Sequence, residues 1–141
     1  VQKKDSILSD THYNITHPDR KTLFNDLKNN NLVDFTNKRL DFINITYLYN
    51  NYIFVLSPRG NGLDCHRTWE LFMAGCIVIT KHSPLDKMYI NNQLPVVLID
   101  NWTDLNENLE EKLKLWKRKY IKMTEYNHII KRLDFNYWLN L

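Results

Sequence analysis

The residues best suited to chemistry lie in one short stretch. The apolar run Tyr52-Ile53-Phe54-Val55-Leu56 is followed by Ser57-Pro58-Arg59-Gly60-Asn61-Gly62, and then by an amphipathic segment carrying Asp64, His66, Arg67 and Glu70. Gly60 and Gly62 accept positive φ and let a ligand come close to the backbone. Arg59 and Arg67 supply planar, permanently charged forks suited to phosphate. If the segment after Gly62 is helical, its first N–H groups and its dipole add a further positive end. Together these features predict an anion site. Asp64, Arg67 and Glu70 are spaced i, i+3, i+6 and share one side of such a helix. Trp69, Phe72 and Met73 are expected to fill the face toward the sheet. Glu70, two turns below the phosphate site, is then placed to accept hydrogen bonds from a ribose. A nucleoside diphosphate satisfies both ends. The same spacing also suits a surface Arg67–Glu70 ion pair, worth only about 0.2–0.5 kcal/mol, and the glycines also suit a plain turn.

Other positions are weaker. His17-Pro18-Asp19-Arg20 reads as another strand-to-helix junction, which makes Arg20 a possible ligand contact. His66 beside Arg67 is a possible phosphate contact or a helix-surface histidine. Lys81 and Ser83 follow a later strand and are possible sugar or phosphate contacts, while Asp86 suits the first turn of a short helix. Cys65, Cys76, His66 and His82 match no finger or ribbon spacing, so core cysteine is expected and no metal. The basic run from Lys112 to Lys122 reads as a solvated helix face. Gly60-Asn61-Gly62-Leu63-Asp64-Cys65 approaches a dinucleotide fingerprint, but Cys65 stands where its third small residue belongs and the motif lies mid-chain. An NAD-type oxidoreductase is therefore the weaker alternative.

These residues need a scaffold. Residues 6–15 alternate loosely, as a strand does. Pro18 and Asp19 open a helix to about residue 28 with Leu23, Phe24 and Leu27 on one face. Residues 32–35 form a short strand and 40–49 a helix, with Phe42, Ile43, Ile45 and Leu48 as apolar contacts. The runs 52–56, 76–80 and 95–100 are continuously apolar, as in strands of a parallel sheet buried on both faces. A helix over 63–74 closes at Gly75, and 84–90 is a short helix. Thr103 caps a helix carrying Leu105, Leu109, Leu113 and Trp116, and a second helix spans about 122–132. Tyr126 and the tail residues Phe135, Tyr137 and Trp138 are expected to pack into the domain. The alternation predicts an α/β fold, Rossmann-like and three-layered around a parallel sheet. Ligands in such folds sit beyond the C-terminal strand ends, where the loop after Leu56 lies.

The 141 residues fit one domain, 1–141, with the helices from about 103 onward packing back on it. A net charge of +3 is too small to point to nucleic acid. No apolar run reaches the length of a membrane span, and no secretory h-region follows Val1, so the chain reads as a domain cut from a longer one. Two cysteines are too few for a disulfide framework, which suits a reducing, cytoplasmic setting. The sequons at Asn14, Asn44 and Asn101 read as chance in an asparagine-rich chain.

The run from Phe54 to Glu70, continued by Ala74-Gly75-Cys76-Ile77-Val78-Ile79, resembles the donor-binding domain of exostosin-like glycosyltransferases. Ser83-Pro84-Leu85-Asp86 and Pro95-Val96-Val97-Leu98-Ile99-Asp100-Asn101-Trp102 resemble the downstream segments of related proteins of large DNA viruses and bacteria. The compositional bias suits a viral source, which would place the chain in the host cytoplasm; a membrane-associated or Golgi site stays open for a longer parent chain. The resemblance covers about residues 7–141. It implies the C-terminal half of a two-Rossmann (GT-B) enzyme that transfers sugar from a nucleoside-diphosphate donor to a glycan or glycoconjugate. It implies a donor site at Ser57, Arg59, Gly60, Asn61, Gly62, Asp64, Arg67 and Glu70, with both arginines on the diphosphate and Glu70 on the ribose. It further implies inverting, metal-independent transfer without a cofactor, and a general base on an N-terminal acceptor domain. A nucleotide-sugar-binding module without its own catalysis is the alternative.

Overall fold

The computed structural model describes residues 2–10, 18–36, 40–58 and 66–133. Five parallel strands form one sheet: β1 (Lys4–Ser9), β2 (Val33–Phe35), β3 (Tyr52–Leu56), β4 (Ile77–Lys81) and β5 (Val96–Ile99). Their order is β2-β1-β3-β4-β5, and every neighbouring pair is parallel. The helices are α1 (Pro18–Leu27), α2 (Phe42–Asn50), α3 (His66–Met73), α4 (Asp86–Asn91), α5 (Leu109–Tyr120) and α6 (Tyr126–Leu133). This is the expected Rossmann-like, three-layer α/β domain.

The runs 52–56, 77–79 and 96–99 of β3, β4 and β5 are apolar because both faces of the sheet are covered there. Phe54, Leu56, Ile77, Ile79, Val97 and Ile99 pack with Leu23 and Leu27 of α1, Trp102, and Leu109 and Leu113 of α5. Leu8, Val55, Val78 and Val96 point the other way, onto Tyr49 of α2, Leu71 and Phe72 of α3, Tyr89 of α4 and Ile129 of α6. The period-two alternation of strand side chains sorts them into these two cores. At the end of α3, Gly75 takes φ +76°. Its N–H donates to the Phe72 carbonyl and that of Cys76 to the Leu71 carbonyl, a Schellman stop of the kind the glycine predicts.

Four expectations need correction. Phe42 and Ile43 are 72% and 78% exposed. The helix there begins only at Phe42, capped by the Asp41 side chain, so its inner face is Ile45, Leu48 and Tyr49 instead. Met73 is half exposed, and Leu71 takes the inward position assigned to it. Tyr126 is also exposed, since Ile129 supplies the buried face of α6. Thr103 caps nothing: Asn101 and Asp104 form a reciprocal box around a 3-10 turn, Trp102–Asn106, and α5 starts separately at Leu109. The tail residues Phe135, Tyr137 and Trp138 lie outside the described residues.

Candidate functional site

The order β2-β1-β3-β4-β5 reverses direction between β1 and β3, because the chain moves outward to β2 and then returns across β1. At such a switch point the flanking connections diverge and open a crevice beyond the carboxyl ends of the strands. The chain puts Ser9 and Asp10 at the end of β1 and Ser57 at the end of β3, beside the first turn of α3.

That turn is anchored firmly. The Ser57 and Thr68 hydroxyls lie 2.9 Å apart, both buried. The Ser57 N–H donates to the Ile79 carbonyl at 2.9 Å, and the Thr80 hydroxyl donates to the Ser57 carbonyl at 2.7 Å. Ser57 therefore joins the ends of β3 and β4 to the start of α3. Next to it, Arg67 Nε meets Asp10 Oδ1 at 3.3 Å, with side chains 18% and 4% exposed. The Tyr49 hydroxyl donates to the other Asp10 oxygen, Oδ2, at 2.5 Å. Burial, then the charge and hydrogen bond of Asp10, push the Tyr49 pKa well up against the opposing pull of Arg67. Tyr49 thus stays a proton donor at any physiological pH. Three elements, β1, α2 and α3, converge on one carboxylate.

The expected site residues divide accordingly. Ser57 and Arg67 come together at the switch point. Glu70 is exposed and lines a cavity of about 430 Å³ between α2 and α3, with Phe42, Thr46, Trp69 and Met73. Arg59, Gly60, Asn61, Gly62 and Asp64 lie outside the described residues. His66 opens α3. Arg20 lies in the first turn of α1, half-buried, beside Asp19. Ser83 turns inward: its hydroxyl accepts from the Leu85 N–H at 3.1 Å, while Asp86 accepts from the Ser83 N–H at 2.9 Å. Asp86 also binds His82 Nδ1 at 2.7 Å.

Lys81 is committed elsewhere. Its ammonium sits 2.8 Å from Asp19 Oδ1, which also accepts from Trp102 Nε1 at 3.1 Å. That network ties the end of β4 to the starts of α1 and of the 3-10 turn. Cys76 is buried in the core and unbridged. Among the described residues, no group of three or more His, Cys, Asp or Glu is placed to hold a metal ion, and no helix is long and apolar enough to cross a membrane.

Asp10, Tyr49 and Thr68 are the members of this cluster that sequence reasoning missed. Reading residues 6–15 as one strand hid Asp10 inside it, whereas β1 ends at Ser9. The signal was the polar pair Ser9-Asp10 closing the apolar pair Ile7-Leu8. Tyr49 carried no comparable signal, since an aromatic residue near a helix end reads as core. No protein-family model matches this chain, and no curated protein matches it.

Proposed function

We propose that this chain is the donor-binding half of a glycosyltransferase, holding the nucleoside-diphosphate part of a sugar donor at the crevice beyond β1 and β3. The observation that carries the reading is Arg67, one residue into α3 and braced by a nearly buried Asp10 at the switch point of an all-parallel sheet. A guanidinium there, beside the N-terminal end of a helix, stabilises a diphosphate in the bound state and as a leaving group. The likeness of residues 54–70 to exostosin-like donor domains supports the same assignment. It brings Arg59 and the loop from Gly60 to Asp64 into the diphosphate site, and Glu70 onto the ribose. The acceptor, and the base that deprotonates it, belong to a partner domain in this scheme.

The order of elements weighs against a dinucleotide oxidoreductase. In that fold the glycine fingerprint follows the first strand, whereas Gly60 and Gly62 follow β3. Calorimetric titration with UDP, GDP and NAD, without added metal, tests the choice. Tight binding of one nucleoside diphosphate, weakened about tenfold or more in Arg67→Lys, is the expected result, because lysine keeps the charge but loses the fork. Preference for NAD, or affinity indifferent to Arg67→Lys, would sink it. Release of sugar from the matching nucleotide sugar then separates a transferase from a binding module.

A further inference from the structure

The donor reading gives Arg67 its task but says nothing of how a long, flexible side chain is kept ready for it. An arginine that must be ordered by its ligand loses affinity to that ordering, and one ordered beforehand does not. The switch-point cluster supplies the ordering. The Asp10 side chain is only 4% exposed, so its charge needs a partner within the protein. It meets Arg67 at Nε, the guanidinium nitrogen nearest the side-chain stem. Its second oxygen takes the Tyr49 hydroxyl at 2.5 Å, which fixes the carboxylate plane. Tyr49 is itself buried against the sheet, with Val55 and Leu71 among its core neighbours, and its backbone carbonyl is fixed from below by Lys3.

From this we infer that Asp10 and Tyr49 are positioning residues for Arg67: a tyrosine–carboxylate pair sets the direction of the guanidinium toward a diphosphate, without touching the ligand. The inference rests on the donor reading. It assigns the end of β1, and not only the stretch after β3, to the working site. It also separates two roles that a nearby carboxylate can play. An anchor strengthens anion binding by fixing the arginine, whereas a competitor weakens it by repelling the anion and neutralising the arginine. The burial of Asp10 and its contact at Nε favour the anchor.

The test is a double-mutant cycle on the whole chain. Kd values for UDP and GDP are measured for Asp10→Asn and Tyr49→Phe, each in the wild-type and the Arg67→Lys background. Urea melts confirm that each variant is folded, and Tyr49→Phe, which removes one oxygen, covers the case in which Asp10→Asn fails to fold. In the wild-type background Asp10→Asn is expected to weaken binding about tenfold and Tyr49→Phe about threefold. Both effects should shrink below about twofold once Arg67 is lysine, because the residues act through the guanidinium. Tighter binding by Asp10→Asn identifies a competitor and overturns the inference, as does a loss of the same size in both backgrounds. Unchanged affinity in both single variants overturns it while leaving the donor reading standing. If the wild-type chain binds neither UDP nor GDP, the donor reading fails and the positioning role falls with it. A merely structural role would lower the urea midpoint without producing this background-dependent change in Kd.

Discussion

The two ends of the sheet each hold a cation, and they hold it differently. At the amino ends of the strands, the Lys3 ammonium donates to the backbone carbonyls of Tyr49, Tyr52 and Ala74 at 3.0–3.1 Å. These carbonyls belong to the end of α2, the start of β3 and the stop of α3, so one side chain closes the bottom of the domain. At the carboxyl ends, Arg67 faces a carboxylate that is itself held by Tyr49. One cation is committed to main-chain acceptors. The other is held by side chains at the switch point of the sheet, between the end of β1 and the start of α3. The difference follows from parallel-sheet geometry: every loop that can diverge from a switch point lies at the carboxyl end.

The comparison breaks most visibly at Arg67. Arg67→Ala leaves Asp10 as a buried carboxylate without its cation, which is expected to cost about 3–5 kcal/mol of stability in addition to the loss of nucleotide affinity. Adding Asp10→Asn should recover most of the stability and none of the affinity. Urea melts and calorimetry of the single and double variants check both halves. Recovery of affinity together with stability would show that Arg67 serves only the fold.

The amino end responds instead to pH. Burial raises the Cys76 thiol from 9.0 to about 11, opposed by Lys3. The folded pKa lies above the unfolded one, so this stability is complete below pH 9 and is lost as pH rises through about 11. The amount is about 2–3 kcal/mol. Tyr52, raised by burial and then by its hydrogen bond to Asp34, adds in the same direction. Urea midpoints should therefore fall between pH 9 and 11 and fall less steeply in Cys76→Ala. An equal fall in the wild type and in Cys76→Ala would place the thiol in contact with solvent.

Lys3→Met tests the closure directly. Removing charge-assisted bonds to the three carbonyls is expected to cost about 1.5–3 kcal/mol. Nucleotide affinity should stay within about twofold, because the proposed site lies at the opposite end of the strands. A loss of affinity comparable to that of Asp10→Asn would mean that the ends are coupled through Tyr49, which touches both.

Legibility in the sequence divides along the same line. The strands 52–56, 76–80 and 95–100 could be read almost to the residue, because burial on both faces forces a continuous apolar run that little else imitates. Gly75 was readable for an equally local reason, since a positive φ at a helix stop selects glycine. The carboxyl-end site was readable only in part. Arg67 and Ser57 sit in a recognisable stretch, but Asp10 is far from Arg67 along the chain and meets it only because β1 and β3 are neighbours. Lys81 and Ser83 lie at the carboxyl edge as expected, yet their polar groups are absorbed by Asp19 and by the turn into α4. Edge position can be read from the chain; whether a side chain there is committed to a neighbour depends on contacts between distant segments.

Glu70 gives the finest test of the comparison, because it separates the sheet edge from the helical face beside it. Its carboxylate is exposed and borders the cavity between α2 and α3, one turn beyond Arg67. Glu70→Gln should change stability by less than about 0.5 kcal/mol, as an exposed substitution does. If the ribose reaches that face, losing the charged acceptor should weaken UDP or GDP about threefold and the corresponding nucleoside by the same factor. An equal loss for both ligands extends the site from the switch point along α3. A change seen with the diphosphate alone would make Glu70 part of the field around Arg67, and no change in either would leave it to the α2–α3 surface, with the ribose held nearer the ends of the strands.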